Sequence, residues 1–242
     1  MRIEHEGRSD VGRRSNNEDG LLALPEQGLY AVADGMGGYE GGEVASRVAL
    51  ASLQSYFELL GDDGLGMRRS KAEASQRMTM AIRIADREVA RRAVGPLRQM
   101  GTTLASIAFE GDRVLIAHVG DSRVYRVRDG KVKAMTRDHS LYAQMEAAGV
   151  GWLPKTKSAF SMSNVITQAL GQGAPASPDI RVDSVRAGDR FLLCTDGFSD
   201  VIDDRMLEGF FTGPVDAERL TRRAYDLGSL DNITALLVTV GE

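Results

Sequence analysis

An α+β fold, with antiparallel sheets and helices laid on their outer faces, is predicted by the order of hydrophobic patterns in this chain. Three observations carry it. Long stretches of helical period occupy much of the chain before Gly101, short β-rich runs punctuated by turn signals follow it, and a late helical segment lies between two further strands. The length of 242 residues suits one large domain with a layered core, so a single domain over 1–242 is expected.

The first apolar run, Leu29-Tyr30-Ala31-Val32-Ala33, reads as a strand ending at Asp34, where the turn Asp34-Gly35-Met36-Gly37-Gly38 opens. A helix is predicted from Gly42 toward Phe57 and Leu60, with Val44, Val48, Leu53 and Phe57 on one face. Gly61-Asp62-Asp63-Gly64-Leu65-Gly66 then reads as an interhelix loop. A second helix over 71–93 points Met78, Ile82 and Val89 inward and Arg87, Arg91 and Arg92 toward solvent. After Gly101 the runs 102–109, 114–119, 124–127 and 132–135 read as strands, with Gly111-Asp112 and Asp129-Gly130 as hairpin turns. They form an antiparallel meander, with Asp121 in a hairpin loop. A polar, poorly periodic stretch covers 149–164. Strands are expected again at 180–185, 191–195 and 233–240, and a helix at 217–227.

Composition narrows the function classes. Apolar residues make up 43% and charged residues 26%, ordinary for a soluble globular chain. A net charge of −4, with no basic run interleaved with aromatics, gives no footprint for nucleic acid. The lone Cys194 excludes an internal disulfide and a thiolate zinc cluster, and fits a reducing cytosol. Within Arg190-Phe191-Leu192-Leu193-Cys194 it reads as a buried small hydrophobe, not a nucleophile. The N-terminus lacks the apolar core of a signal peptide, and no apolar stretch approaches the roughly 20 residues that span a bilayer. A cytoplasmic monomer without a membrane partner is expected.

Asp34 is the most informative residue, because Glu18-Asp19, Asp196 and Asp231-Asn232 recur in its context, at the edges of predicted strands. Carboxylates converging from four segments repel one another unless cations neutralise them, and hard divalent ions are the partners of an all-oxygen set. The chain reads as a carboxylate–metal enzyme.

In order, Arg14-x-x-x-Glu18-Asp19, Asp34-Gly35-Met36-Gly37-Gly38, Gly101-Thr102-Thr103, Gly120-Asp121-Ser122-Arg123, Asp138-His139-Ser140, Asn164-Val165-Ile166-Thr167, Asp196-Gly197 and Asp231-Asn232 resemble the motifs of the metal-dependent Ser/Thr protein phosphatases (PPM family, type 2C) in their bacterial form. The likeness spans nearly the whole chain. It implies an αββα sandwich of two antiparallel sheets flanked by helix pairs, with a dinuclear metal site at one edge. Asp34 would bridge two Mn²⁺ or Mg²⁺ ions, and the Gly35 carbonyl would help to bind one. Asp196 and Asp231 would complete the first ion's shell, while Glu18 and Asp19 would act at the second, partly through water. In bacterial relatives the residues matching Asp121 and Asp196 take a third, weaker ion; a turn carboxylate capping backbone amides is the plainer reading of Asp121. Arg14 matches the phosphate-binding arginine, whose planar fork suits two phosphoryl oxygens. Activated water would attack phosphorus in line, with no phosphoenzyme, and Arg14, Asp34, Asp196 and Asp231 would form the catalytic set.

The resemblance further implies phosphothreonine and phosphoserine proteins as substrates and a Hanks-type kinase as the opposing enzyme. Short relatives beside type VI secretion systems act on a forkhead-associated scaffold, and the size of this chain fits that setting. A pseudophosphatase binding module would be expected to lack a metal aspartate or the arginine, yet each position is filled. A hydrolase of small phosphoesters is the other alternative, although the Asp34 turn lacks the Gly-Lys-Ser/Thr ending of a phosphate loop. Met36 stands where many eukaryotic relatives carry a histidine proposed as general acid, and methionine has no proton to give. Asp200 reads as a helix cap or a residue that orients a ligand. His118 reads as structural, and proton transfer is a minor reading of His139. The resemblance makes 143–164 a variable flap, where Trp152, Lys155 and Lys157 suit either phosphopeptide contact or an ordinary loop.

Overall fold

The computed structural model describes residues 2–37, 40–60 and 70–241, with Leu60 described by its backbone alone. Gly38, which closes the Asp34 turn, and the expected loop at Gly61-Asp62-Asp63-Gly64-Leu65-Gly66 lie outside the described residues. The elements run β1 (Ile3–Asp10), β2 (Asp19–Leu24), β3 (Leu29–Met36), α1 (Gly41–Leu60), α2 (Lys71–Arg92), β4 (Gly101–Thr102), β5 (Leu104–Glu110), β6 (Arg113–Val119), β7 (Arg123–Arg128), β8 (Lys131–Ala134), α3 (Leu141–Ala147), β9 (Asp179–Ser184), β10 (Arg190–Cys194), α4 (Asp196–Ser199), α5 (Asp204–Phe210), α6 (Ala217–Asp226) and β11 (Ile233–Val240). One sheet has the order β1-β11-β10-β7-β8 and the other β2-β3-β5-β6-β9, with β4 paired to β3. All pairings are antiparallel among the described residues.

Helices cover the outer face of each sheet, which gives the αββα sandwich. α2 starts at a capping box, in which the Ser70 hydroxyl accepts from the Glu73 amide and the Glu73 carboxylate accepts from the Ser70 amide. Its Ala74, Met78, Ala81, Ile82, Ala85 and Val89 are buried at helical spacing against α1 and the second sheet. On the opposite side Leu207, Phe211, Leu220 and Ala224 cover Tyr125, Leu192, Cys194 and Leu237. Cys194 is fully buried, as its apolar run predicts.

Two sequence expectations change. β6 and β7 belong to different sheets, so the turn at Asp121 is a crossover between layers and not a hairpin. β5–β6 and β7–β8 are hairpins at the two expected turns. The strand of Asp34 does not end there but runs on to Met36, because Gly35 and Met36 pair with Thr102 and Gly101 of β4.

Strand alternation positions the site. Tyr30 and Val32 of β3, Leu21 and Ala23 of β2, Phe191 and Leu193 of β10, and Leu236 and Val238 of β11 pack between the sheets. Continuing each alternation of two toward one edge brings Asp34, Asp19, Thr195 and Thr234 to that same inner face. The apolar inter-sheet layer therefore ends in carboxyls and hydroxyls.

Candidate active site

A cleft of about 820 Å³ opens at this polar edge, and its wall carries Arg14, Glu18, Asp34, Gly35, Asp121, Asp196 and Asp231. Asp19, the remaining expected site residue, sits behind that wall, directly opposite Asp34 in the β2–β3 register. Like charges placed so on neighbouring strands destabilise a sheet unless something neutralises them.

The backbone of Asp34 is fully tied. Its amide donates to Thr103 Oγ1 at 3.0 Å, and its carbonyl accepts from the Thr103 amide at 2.9 Å and Thr102 Oγ1 at 2.9 Å. The side chain thus has a fixed origin. Burial raises its carboxyl well above the usual range, and the charges of Asp196, Asp19 and Asp121 add to the effect. Asp19 Oδ2 accepts from Thr195 Oγ1 at 2.8 Å and Thr234 Oγ1 at 2.7 Å. Burial nonetheless pushes Asp19 up to about 7, against the pull of those two donors. Asp196, leading α4 straight after β10, is also raised to about 7, by burial first and then by the charges of Asp121, Asp200 and Asp231.

Glu18 and Asp231 meet through Asn232. Asn232 Oδ1 accepts from the Glu18 amide at 2.8 Å, and Nδ2 donates to the carbonyls of Val11 at 2.9 Å and Asn16 at 2.8 Å. The Arg14 loop is thereby strapped to the start of β11. Asp231 Oδ2 accepts from Arg14 Nη2 at 2.7 Å, and its Oδ1 accepts from the Asn232 amide at 2.8 Å. Glycine is required where backbones cross: a Cβ on Gly35 would strike the Gly42 carbonyl oxygen, and one on Gly197 the Asn232 carbonyl oxygen.

Asp121 is buried, and Lys157 Nζ reaches its Oδ2 at 3.2 Å and Asp200 Oδ1 at 2.9 Å. Burial raises Asp121, with Lys157 opposing the shift. Asp200 closes α4 at its C-terminal end, so it caps no helix start and serves Lys157. Trp152 and Lys155 are exposed. The acidic row thus carries one of the chain's own cations at each end, Arg14 on Asp231 and Lys157 on the Asp121–Asp200 pair.

The donors at the centre of the row fit a divalent ion. Asp196 Oδ1 is buried and, among the described residues, has no hydrogen-bond partner, an orphaned acceptor on a residue of the acidic wall. The carboxyls around it are held upward by burial and by one another, the condition a bound cation relieves. Among the described residues no histidine or cysteine lines the wall, and an all-oxygen set suits Mg²⁺ or Mn²⁺.

A second group, His118, His139 and Asp179, brings ligand atoms within 4.8 Å of one another. Its hydrogen bonds mark it as a brace. The Gly120 amide donates to His139 Nδ1 at 3.3 Å, which leaves the ring proton on Nε2, facing Asp179 Oδ2 at 3.4 Å. His118 Nε2 donates to the Arg137 carbonyl at 2.7 Å. Together they support the Gly120-Asp121 crossover from behind.

Sequence reasoning left several supporting residues unassigned. Thr195 and Thr234 hold Asp19, Thr103 holds Asp34, and Asn232 straps the Arg14 loop. Strand parity, extended past each apolar run, was the signal for the threonines. Arg123 and Asp138, both inside recognised motifs, form a bidentate pair at 2.8 and 2.7 Å that anchors β7 to the segment before α3.

Known proteins share this architecture. A family model described as "Protein phosphatase 2C" matches residues 6–227. Serine/threonine protein phosphatase PstP of Mycobacterium tuberculosis is 36% identical over 244 residues, covering 98% of this chain and 45% of PstP. The chain therefore spans less than half the length of that relative. Protein phosphatase PhpP of Streptococcus pneumoniae is 31% identical, covering 97% of this chain and 96% of PhpP. Among solved structures, the catalytic domain of PstP in complex with two manganese ions superposes with a TM-score of 0.85 at 33% identity, covering 99% of each chain. PppA, a key regulatory component of T6SS in Pseudomonas aeruginosa, gives a TM-score of 0.82 at 28% identity, covering 99% of this chain and 98% of PppA. An acidic cleft at the edge of two helix-covered sheets and a family match running through all but the chain's ends lead to one assignment: the chain belongs to the protein phosphatase 2C family.

Proposed function

We propose that this chain is a metal-dependent protein serine/threonine phosphatase, a single PPM-type catalytic domain over 1–242. The observation that carries the proposal is the polar end of the inter-sheet layer, where Asp34, Asp196 and Asp231 converge and Asp196 Oδ1 has no partner among the described residues. Asp34, the Gly35 carbonyl, Asp196 and Asp231, together with Glu18 and with Asp19 behind it, would hold two Mn²⁺ or Mg²⁺ ions. When bound, the ions supply charge neutralisation, Lewis acidity and activation of water at neutral pH.

The chain's own residues do the rest. Arg14 is the phosphate clamp, and its pairing with Asp231 is no obstacle. The two side chains are 56% and 40% exposed, and a pair so open to water is worth about 0–1 kcal/mol. A phosphoryl dianion, offering two oxygens to one guanidinium, outcompetes it. Met36 lines the cleft and can exclude water but cannot pass a proton. The buried threonine hydroxyls orient the Asp19 carboxylate.

Phosphothreonine and phosphoserine proteins are the substrate class, supported by the phosphatases among the relatives. The structural likeness to PppA supports a setting beside type VI secretion; a Hanks-type kinase as the opposing enzyme and a forkhead-associated scaffold as a substrate belong to the proposal through the family resemblance alone. Among the described residues no helix is long and apolar enough to cross a membrane, and a cytoplasmic monomer is proposed. The test is relative turnover of a phosphothreonine peptide, ATP and a bis-aryl phosphodiester with Mn²⁺ present. The peptide is expected to be preferred by kcat/KM; preference for ATP would move the chain to small-molecule hydrolysis.

A further inference from the structure

The segment after α3 is bonded largely to itself. Tyr142 Oη donates to the Pro154 carbonyl at 2.9 Å, and Phe160 packs against Tyr142 and Trp152 at ring separations of 5.9 and 6.5 Å. Among the described residues, the hydrogen bonds that tie residues 150–163 to the molecule outside 140–167 are those of Lys157. The Lys157 side chain is only 14% exposed and that of Asp121 only 4%. Charges so enclosed are tolerated when paired and costly when not. Asp121 belongs to the crossover between the sheets, and Asp200 to the end of the short helix that Asp196 begins. One ammonium therefore joins the flap, the crossover and the Asp196 helix.

We propose that Lys157 is a positioning residue that pins the flap beside the cleft by serving as the resident cation of the Asp121–Asp200 pair, so that a divalent ion at Asp121 and a seated flap exclude each other. The identity of the competing ion rests on the phosphatase reading; the pin stands on the contacts alone. Two cations cannot share Asp121 Oδ2 at contact distance without strong repulsion. An ion entering there expels the ammonium, and the flap loses its tie to the body. Conversely, a seated flap weakens any ion at Asp121 relative to those at Asp34, Asp196 and Asp231. The flap then reports on how many cations the cleft holds.

The experiment measures backbone hydrogen exchange of the flap together with calorimetric Mn²⁺ binding, on the full chain, for wild type, Lys157→Gln and Lys157→Arg. In metal-stripped protein, Lys157→Gln is expected to exchange flap amides about tenfold faster than wild type, with β10 and β11 still protected and Lys157→Arg near wild type. With Mn²⁺, the weakest site is expected to tighten about tenfold in Lys157→Gln, and wild-type flap exchange should rise over the range in which that site fills. Equal flap exchange in metal-stripped wild type and Lys157→Gln overturns the pin. An unchanged weakest site overturns the competition. If no Mn²⁺ binds to any variant, the phosphatase reading fails, while flap exchange without metal still decides the pin.

Discussion

At Asp196 a buried carboxylate oxygen lacks a donor among the described residues, and its neighbours Asp34 and Asp121 are acidic. A structural carboxylate would be placed otherwise, with donors on both oxygens, as Asp138 has from Arg123. Replacing Asp34, Asp196 or Asp231 by Asn removes ligand charge without changing shape, so each is expected to lower turnover by about 10³-fold or more while leaving circular dichroism unchanged. Asp196→Asn should not lower the melting temperature of metal-stripped protein, since it removes a charge that burial opposes. Loss of activity that tracked unfolding would make these residues structural. Arg14→Ala is expected to raise KM about tenfold or more with a smaller effect on kcat, and Arg14→Lys to restore little, because ammonium lacks the two-pronged geometry. An unchanged KM would place Arg14 outside the site.

At the scale of elements, strand parity carries the site. Apolar alternation in β2, β3, β10 and β11 ends in Asp19, Asp34, Thr195 and Thr234 on one inner face, so the elements that build the core also aim the carboxylates. Thr234→Val keeps the shape and removes one of the two hydroxyl donors to Asp19 Oδ2. It is expected to cost about 1–3 kcal/mol in denaturant unfolding, largely recovered by Thr234→Ser. No difference between the Val and Ser variants would show that the hydroxyl does not hold Asp19. The elements differ in how legible they were. α1 and α2 declared themselves by helical period, and the β5–β6 and β7–β8 hairpins by glycine–aspartate turns. The crossover at Asp121 did not, because a turn signal says that the chain reverses but not which sheet the next strand joins. β1 was missed because its residues are mostly exposed and half of them are charged; pairing with β11, not side-chain burial, makes it a strand. The extension of β3 through Gly35 was hidden because glycine reads as a turn, whereas here it admits the Gly42 carbonyl.

At the scale of the molecule, the site sets a pH dependence for the whole fold. Asp19 and Asp196 titrate near 7 in the folded, metal-free chain against a usual 3.8, and Asp34 is raised as well. Between about pH 4 and pH 7 the folded state therefore holds more protons than the unfolded chain, and stability falls as pH rises through that window. Metal-stripped protein is expected to melt at a lower temperature at pH 7.5 than at pH 5.5. Mn²⁺ should raise the melting temperature more at pH 7.5, where the carboxylates it binds are ionised. A melting temperature that rose with pH in the stripped protein would contradict the clustering of these carboxyls. The motifs found the carboxylates and Arg14, yet gave equal prominence to Arg123 and Asp138, which brace β7. Order along the chain marks a residue as shared with a family; only the packed structure separates those that face the cleft from those that hold it open.

The most direct test of the central claim is phosphate release from a phosphothreonine peptide by metal-stripped protein titrated with Mn²⁺, beside Asp196→Asn. No release is expected without metal; release should saturate with Mn²⁺, and the mutant should stay folded with at most about a thousandth of that rate. Release that needs no metal, or that survives Asp196→Asn, would contradict it.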